Sequence, residues 1–224
     1  MLVNRADFLR VLRVVKSVEV NEVKFDVEGK FGISAKDGCS LLFGKGVELG
    51  QEVGFMDVLT LEKMLNGLRE SEVNVELKEG MMTLAGEKMV FGYRLGQVEL
   101  IEGYPQSKME EFNKTGMENV GEFVYEDLAR VNGLIKTLGV EKVSFIGTGV
   151  GLQVVVGDRK LFYGQVSLPG GTLSKTQVFL SSRLSQIFDV IDSSKIGLSF
   201  SSGEKGFLRI SSGDWQWFIG ALVE

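Results

Sequence analysis

Four times along this chain the hydrophobic pattern runs through one cycle: an amphipathic helical stretch, a short alternating strand, a glycine, and further alternating strands. A unit of this kind cannot bury its apolar face alone, so the recurrence constrains the fold more than any single motif. The helical stretches are "ADFLRVLRVVKSV", with Phe8, Leu9, Leu12 and Val15 on one face, and "TLEKMLNGLRES", with Thr60 as cap and Leu61, Met64, Leu65 and Leu68 inward. The third is "YEDLARVNGLIKTLG", with Leu128, Val131, Leu134, Ile135 and Leu138, stopped by Gly139. The fourth is "SSRLSQIFDVIDSS", with Leu184, Ile187, Phe188 and Ile191. The strands that follow are "VKFDVE", "VNVEL", "VSFI" and "IGLSF", with turns at Gly29 and Gly32, Gly80, Gly147 to Gly151, and Gly203.

Spacing divides the chain. The strands after the helices begin at Val23, Val73, Val143 and Ile196, and the long middle step holds "LIEGYPQSKMEEFNKTGMEN". That segment is acidic and shows no helical or strand period. Residues 100–119 therefore read as a connector between an N-terminal domain, 1–99, and a C-terminal domain, 120–224. The first unit corresponds to the third and the second to the fourth. The expectation is an α+β fold of two similar domains, each with two helices on one face of antiparallel sheet and roughly eight strands.

The most enzyme-like stretch is "SFIGTGVGLQVVVG", Ser144 to Gly157. A dinucleotide loop needs its glycines between a strand and a helix N-terminus, where free N–H groups meet pyrophosphate. Here a β-branched run follows and the spacing is G-x-G-x-G, so the glycines read as a hairpin turn. "LPGGTLSKT" lacks the Gly-Lys-Ser/Thr of a phosphate loop. The chain has no histidine and one cysteine, Cys39, which removes Ser-His-Asp, Cys-His and Cys/His zinc arrangements. No catalytic, cofactor-binding or metal-binding residue is assigned. A two-carboxylate hydrolase stays open in principle, but no acid pair is marked out. The lone cysteine, the lack of a long apolar run and the charged start, "MLVNRADFLRVLRVV", lead to the expectation of a cytoplasmic protein with no membrane contact.

With its four units, its connector and its terminal "WQWFIGALVE", the chain resembles the sliding clamps of DNA replication, in the two-domain form of proliferating cell nuclear antigen and its phage equivalents. The resemblance covers the whole chain and rests on topology. It implies the DNA-clamp fold and a homotrimeric ring that encircles duplex DNA without reading sequence. It further implies that the ring tethers a DNA polymerase, is placed by an ATP-dependent clamp loader, and catalyses nothing. The length is most like that of phage clamps, for which the compartment would be the host cytoplasm. A monomeric or heteromeric subunit of the same fold, binding DNA by a basic face, fits the same pattern.

Charge was weighed against that expectation. The segments 5–17, 60–70, 125–138 and 181–193 carry formal charges of +3, 0, 0 and −1 in a chain of net −5. Glu62, Glu126 and Asp127 sit in first turns, where the helix dipole favours carboxylates. Arg10, Arg13 and Lys16 recur off the apolar stripe, and Arg5, Lys63, Arg69, Arg130, Lys136 and Arg183 are the further DNA-facing candidates. Taken singly, each is equally well an ordinary solvated side chain. By resemblance, "MVFGYRL" and "RKLFYGQV" are the strands that join subunits, through Phe91, Tyr93, Leu161, Phe162 and Tyr163, although interior strands would read alike. Also by resemblance, a polymerase or loader peptide would lie on Leu41, Leu42, Ile101, Tyr104, Pro105, Phe218, Ala221 and Leu222.

Overall fold

The first helix begins where a side chain can accept from its free backbone N–H groups. In the computed structural model, which describes residues 1–114, 116–171, 173–201 and 206–222, β1 (Leu2–Asn4) runs straight into α1 (Arg5–Lys16). Asn4 is extended, and its side-chain oxygen accepts from the N–H groups of Ala6 and Asp7. The expected turn at Gly203 and the tail residues Val223 and Glu224 lie outside the described residues.

Two compact units form: Met1–Lys36 with Phe43–Gln106, and Asp37–Leu42 with Ser107–Glu224. In the first, β2 (Val23–Phe25), β3 (Lys30–Ser34), β4 (Ser40–Lys45) and β5 (Val53–Phe55) follow α1, with β2 and β5 paired antiparallel. α2 (Val58–Gly67) starts earlier than the pattern predicts. Its cap is Asp57 rather than Thr60, and the Asp57 carboxylate accepts from the Thr60 N–H at 2.9 Å and hydroxyl at 2.6 Å. Those bonds hold the Asp57 carboxyl below its ordinary range. Three strands, β6 (Glu72–Lys78), β7 (Met81–Ala85) and β8 (Val90–Arg94), complete an antiparallel sheet in the order β1-β6-β7-β8.

Two further expectations fail in this unit. Val27 is exposed and outside any strand, because the Asp26 carboxylate accepts from the N–H groups of Glu28 and Lys30 and closes a turn there. Gly32 is not a turn residue but lies within β3, where a Cβ would overlap the carbonyl oxygen of Tyr104 and crowd the Phe43 ring.

The second unit opens with a larger correction. The connector is not without period: α3 (Gln106–Lys114) lies within residues 100–119, and β9 (Met117–Phe123) begins there. α4 (Tyr125–Leu138) ends as predicted at Gly139, which is left-handed (φ +60°) and donates its N–H to the Ile135 carbonyl. Antiparallel β10 (Lys142–Thr148), β11 (Gly151–Asp158), β12 (Phe162–Pro169) and β13 (Gln177–Leu180) form a sheet in the order β12-β11-β10-β13. α5 (Ser181–Phe188) is shorter than its apolar pattern, although Ile191 beyond it is still buried. β14 (Ile196–Ser201), β15 (Phe207–Ser212) and β16 (Trp215–Gly220) then line up with β9 in the order β16-β15-β14-β9.

Each unit is centred on aromatic rings contributed by several elements. In the first, Phe8 of α1 meets Phe55 at 6.0 Å, and Phe55 meets Phe25 at 5.3 Å and Tyr93 at 6.0 Å. In the second, Phe145, Phe179 and Phe200 lie 5.3–6.2 Å apart on β10, β13 and β14. All but Tyr93 are fully buried, and each such side chain contributes roughly 1.5–3 kcal/mol of transfer free energy. Glycines on either element let helix and strand approach: Leu134 of α4 lies over Gly164 of β12, and Phe91 of β8 lies over Gly67 of α2.

The glycines of "SFIGTGVGLQ" are a hairpin. Thr148 pairs with Gly151, so Gly149 and Val150 form a two-residue loop between β10 and β11. Gly147 is inside β10, and its bareness serves a close approach: a Cβ there would overlap the backbone of Leu173, whereas one on Gly149 meets nothing within 4 Å. Gly147→Ala is therefore expected to cost about 2–3 kcal/mol through overpacking, and Gly149→Ala less than about 0.5 kcal/mol. Urea unfolding of the two variants checks the contrast.

Candidate nucleic-acid interface

In each unit the two long helices pack side by side, and a carboxylate on or just after the second reaches bases on the first. In the first unit this is Glu62 of α2, which takes Lys16 at 2.5 Å and Arg13 at 3.6 Å. In the second it is Asp189, just beyond α5, which takes Lys136 at 2.6 Å and the Asn132 amide at 2.8 Å. Such pairs at a surface are worth only about 0–1 kcal/mol, so a phosphate can compete for the same cations.

α1 presents the most positive surface of the four. Its buried side carries Phe8, Leu9, Val11, Leu12, Val14 and Val15, which leaves Arg10 and Arg13 exposed one turn apart and Lys16 half-buried beyond them. Glu62 is shared between two cations, Arg13 and Lys16. Lys63 and Arg69 are exposed in the same unit. In the second unit Arg130 is exposed, 3.6 Å from Asp127 in the first turn of its own helix.

Two candidates are corrected. Arg5 is half-buried, and its guanidinium donates to the carbonyls of Glu70 and Leu65, tying the start of α1 to the end of α2. Arg183 is buried and paired with Asp37, whose carboxyl also accepts from the Cys39 N–H. Both side chains are committed to their own unit. Sequence periodicity places them off the apolar stripe but cannot see the partner, which is 146 residues away for Arg183.

Of the segments expected to join subunits, both are sheet edges: β8 pairs only with β7, and β12 only with β11, among the described residues. The side chains sort differently from the expectation. Tyr93 faces its own core, where its hydroxyl accepts from the Asp57 N–H at 2.8 Å, and burial pushes its pKa up. Phe91 is half-buried on the same side, so Val90, at 67% exposure, and Arg94 are the outward residues of β8. Leu161, Phe162 and Tyr163 are exposed at 78%, 56% and 48%. The first two also line a cavity of about 670 Å³ with Ser144, Ile146 and Val155.

The peptide-contact candidates split in the same way. Leu41, Leu42, Ile101 and Phe218 are buried, Phe218 beneath the Phe112 ring at 5.1 Å. Tyr104 and Pro105 are exposed, and Ala221 and Leu222 are half-exposed. Sequence reading missed Phe112 and Arg209. The only signal for the helix that carries Phe112 was Met109 and Phe112 three residues apart in "QSKMEEFNK".

Among the described residues no helix is long and apolar enough to cross a membrane. No family model and no curated protein matches the sequence. Solved structures do. A crystal structure of a PCNA2–PCNA3 complex from Sulfolobus tokodaii matches with a TM-score of 0.75 at 15% identity, over 100% of this chain and 99% of that one. Proliferating cellular nuclear antigen from Entamoeba histolytica matches with a TM-score of 0.72 at 15% identity, over 98% and 96%. The chain thus has the α+β fold of these two structures along its whole length, as the repeat predicts.

Removing Arg183 leaves Asp37 without its cation. Arg183→Met is expected to destabilise the chain by about 1–2 kcal/mol, discounted for the partial exposure of Asp37, while Arg130→Met changes stability by less than about 0.5 kcal/mol. Chemical denaturation of both variants decides whether Arg183 is a structural residue.

Proposed function

We propose that this protein is a DNA sliding clamp: a ring-forming processivity factor that encircles duplex DNA and tethers a replicative polymerase, without catalysing a reaction itself. The observation that carries the reading is the end-to-end likeness of fold to two proliferating cell nuclear antigen structures. The exposed Arg10 and Arg13 on α1, with Lys16, Lys63, Arg69, Arg130 and Lys136, supply phosphate contacts that bear no sequence information. Because the excess of positive charge lies on α1, that helix carries most of the contact. Affinity for open DNA is weak and salt-sensitive, each neutralised phosphate adding about −0.9 to the slope of log affinity against log salt. Retention comes from closure.

Closure joins the free edge of β8 in one subunit to that of β12 in the next. A head-to-tail contact of this kind forms a ring when its rotation closes. Exposed aromatic edges left open would template aggregation, which favours their being covered. Val90 of β8 and Leu161, Phe162 and Tyr163 beside β12 supply the apolar contact. The residues offered for contact with a polymerase and an ATP-dependent loader are Tyr104 and Pro105 on the first unit and, separately, Ala221 and Leu222 on the second. A heteromeric ring is the second reading, favoured by one observation: one matching structure is a complex of two different clamp chains.

Light scattering across a dilution series is expected to find a species near three times 24.6 kDa, about 74 kDa. A monomer at every concentration would overturn the homotrimer. Arg10→Glu with Arg13→Glu is expected to leave that mass unchanged and to reduce polymerase stimulation on primed circular DNA by roughly tenfold or more. Undiminished stimulation would sink the DNA-facing role of α1.

A further inference from the structure

Two carboxylates in this protein stand where their own helices do not need them. Glu62 lies beyond the first turn of α2, which begins at Val58 and is capped by Asp57, so the helix dipole does not favour it there. Asp189 closes α5 at the negative end of that helix's dipole, where a carboxylate is disfavoured. Each instead reaches a lysine on the first helix of its unit. Glu62 takes Lys16 at 2.5 Å, and Asp189 takes Lys136 at 2.6 Å.

The two lysines occupy equivalent places, and the two carboxylates do not. Lys16 stands seven residues before Val23 and Lys136 seven before Val143, the strand starts that align the two units. Glu62 stands eleven residues before Val73, whereas the residue eleven before Ile196 is Ser185. Ser185 donates to the Asn132 side chain at 2.7 Å, and the Asn132 amide in turn donates to Asp189 at 2.8 Å. A carboxylate thus reaches the same lysine position in both units from different places in the repeat. Lys16 and Lys136 keep 33% and 56% of their side-chain surface exposed, so solvent screens both pairs and their contribution to folding is small.

We infer that Glu62 and Asp189 limit the affinity of α1 and α4 for duplex DNA, each as a resident competitor that holds a lysine between one phosphate and the next. This deepens the DNA-facing reading above and rests on it. A phosphate gains the lysine only by displacing a carboxylate, so the net gain is the difference between two similar ion pairs. When the phosphate moves on, the carboxylate takes the ammonium back. The lysine exchanges one anionic partner for another at each step, which keeps the energy profile along the duplex shallow. Movement along DNA requires contact of that kind.

The experiment titrates a short fluorescein-labelled duplex with the full chain and follows anisotropy across a salt series. Asp189→Asn and Glu62→Gln keep the side-chain shape and remove the charge, and each is expected to tighten binding about threefold. The slope of log affinity against log salt should steepen by up to about 0.9 for each lysine released to phosphate. In a Lys136→Gln chain, Asp189→Asn should tighten binding by less than about 1.5-fold, because the lysine through which it acts is gone. An undiminished effect in that background would mean general repulsion of DNA by the carboxylate and would overturn the exchange. Unchanged affinity and slope in both single variants would overturn it outright. Glu62 is half-buried and Asp189 exposed, so the Asp189 pair carries the test alone where Glu62→Gln folds poorly. Arg10→Glu with Arg13→Glu separates this inference from the reading beneath it. Weakened duplex binding there, with no gain from the carboxylate variants, defeats this inference alone. Undiminished binding there, again with no such gain, defeats the DNA-facing reading as well.

Discussion

Everything that could touch DNA or a partner in this protein is positioned by side chains that touch neither. In the first unit Phe8, Phe25, Phe55 and Tyr93 bind α1 to strands far apart in sequence, and in the second Phe145, Phe179 and Phe200 do the same for three strands. Packing at this density leaves little room for the helices to rotate. The helix backbone therefore fixes the positions from which Arg10 and Arg13 project. Bare strand positions extend the constraint, since Gly164 admits Leu134 and sets how closely α4 lies on its sheet.

The fate of the basic residues follows from what lies within reach of each. Nine were candidates for the DNA-facing surface, and their spacing relative to the apolar stripe treats them alike. Tertiary contacts divide them. Arg5 is consumed by backbone carbonyls and Arg183 by Asp37, while Arg13, Lys16 and Lys136 are held loosely by Glu62 and Asp189. The loose pairs cost little to exchange for phosphate, and the firm ones stabilise the fold. Glu62 is shared between two cations, and Asp189 takes one together with the Asn132 amide.

How much was legible follows the same line. α1 and α4 stand within two residues of their predicted positions, because an apolar stripe at helical period and a capping residue act locally. The glycine-rich stretch was legible as a hairpin for the same reason, since a β-branched run cannot supply a helix N-terminus. The connector was not. Its helix has only Met109 and Phe112 to mark it, and the rings that hold Phe112 lie about a hundred residues on, at Phe207 and Phe218. Facing errors had a parallel cause. "MVFGYRL" names the edge strand, but a period of two leaves open which set of alternating residues looks outward, and the Tyr93 bond to Asp57 settles that.

By itself, then, the sequence determined the four longer amphipathic helices, the strand and glycine pattern that recurs with them and the absence of histidine chemistry, because those depend on local period and composition. Only the tertiary structure decided which cations remain on the surface, which aromatic residues face solvent and where the connector helix rests. Each of those turns on a partner brought near by folding, and no periodicity in the chain encodes the distance between two side chains that meet only once the core has closed.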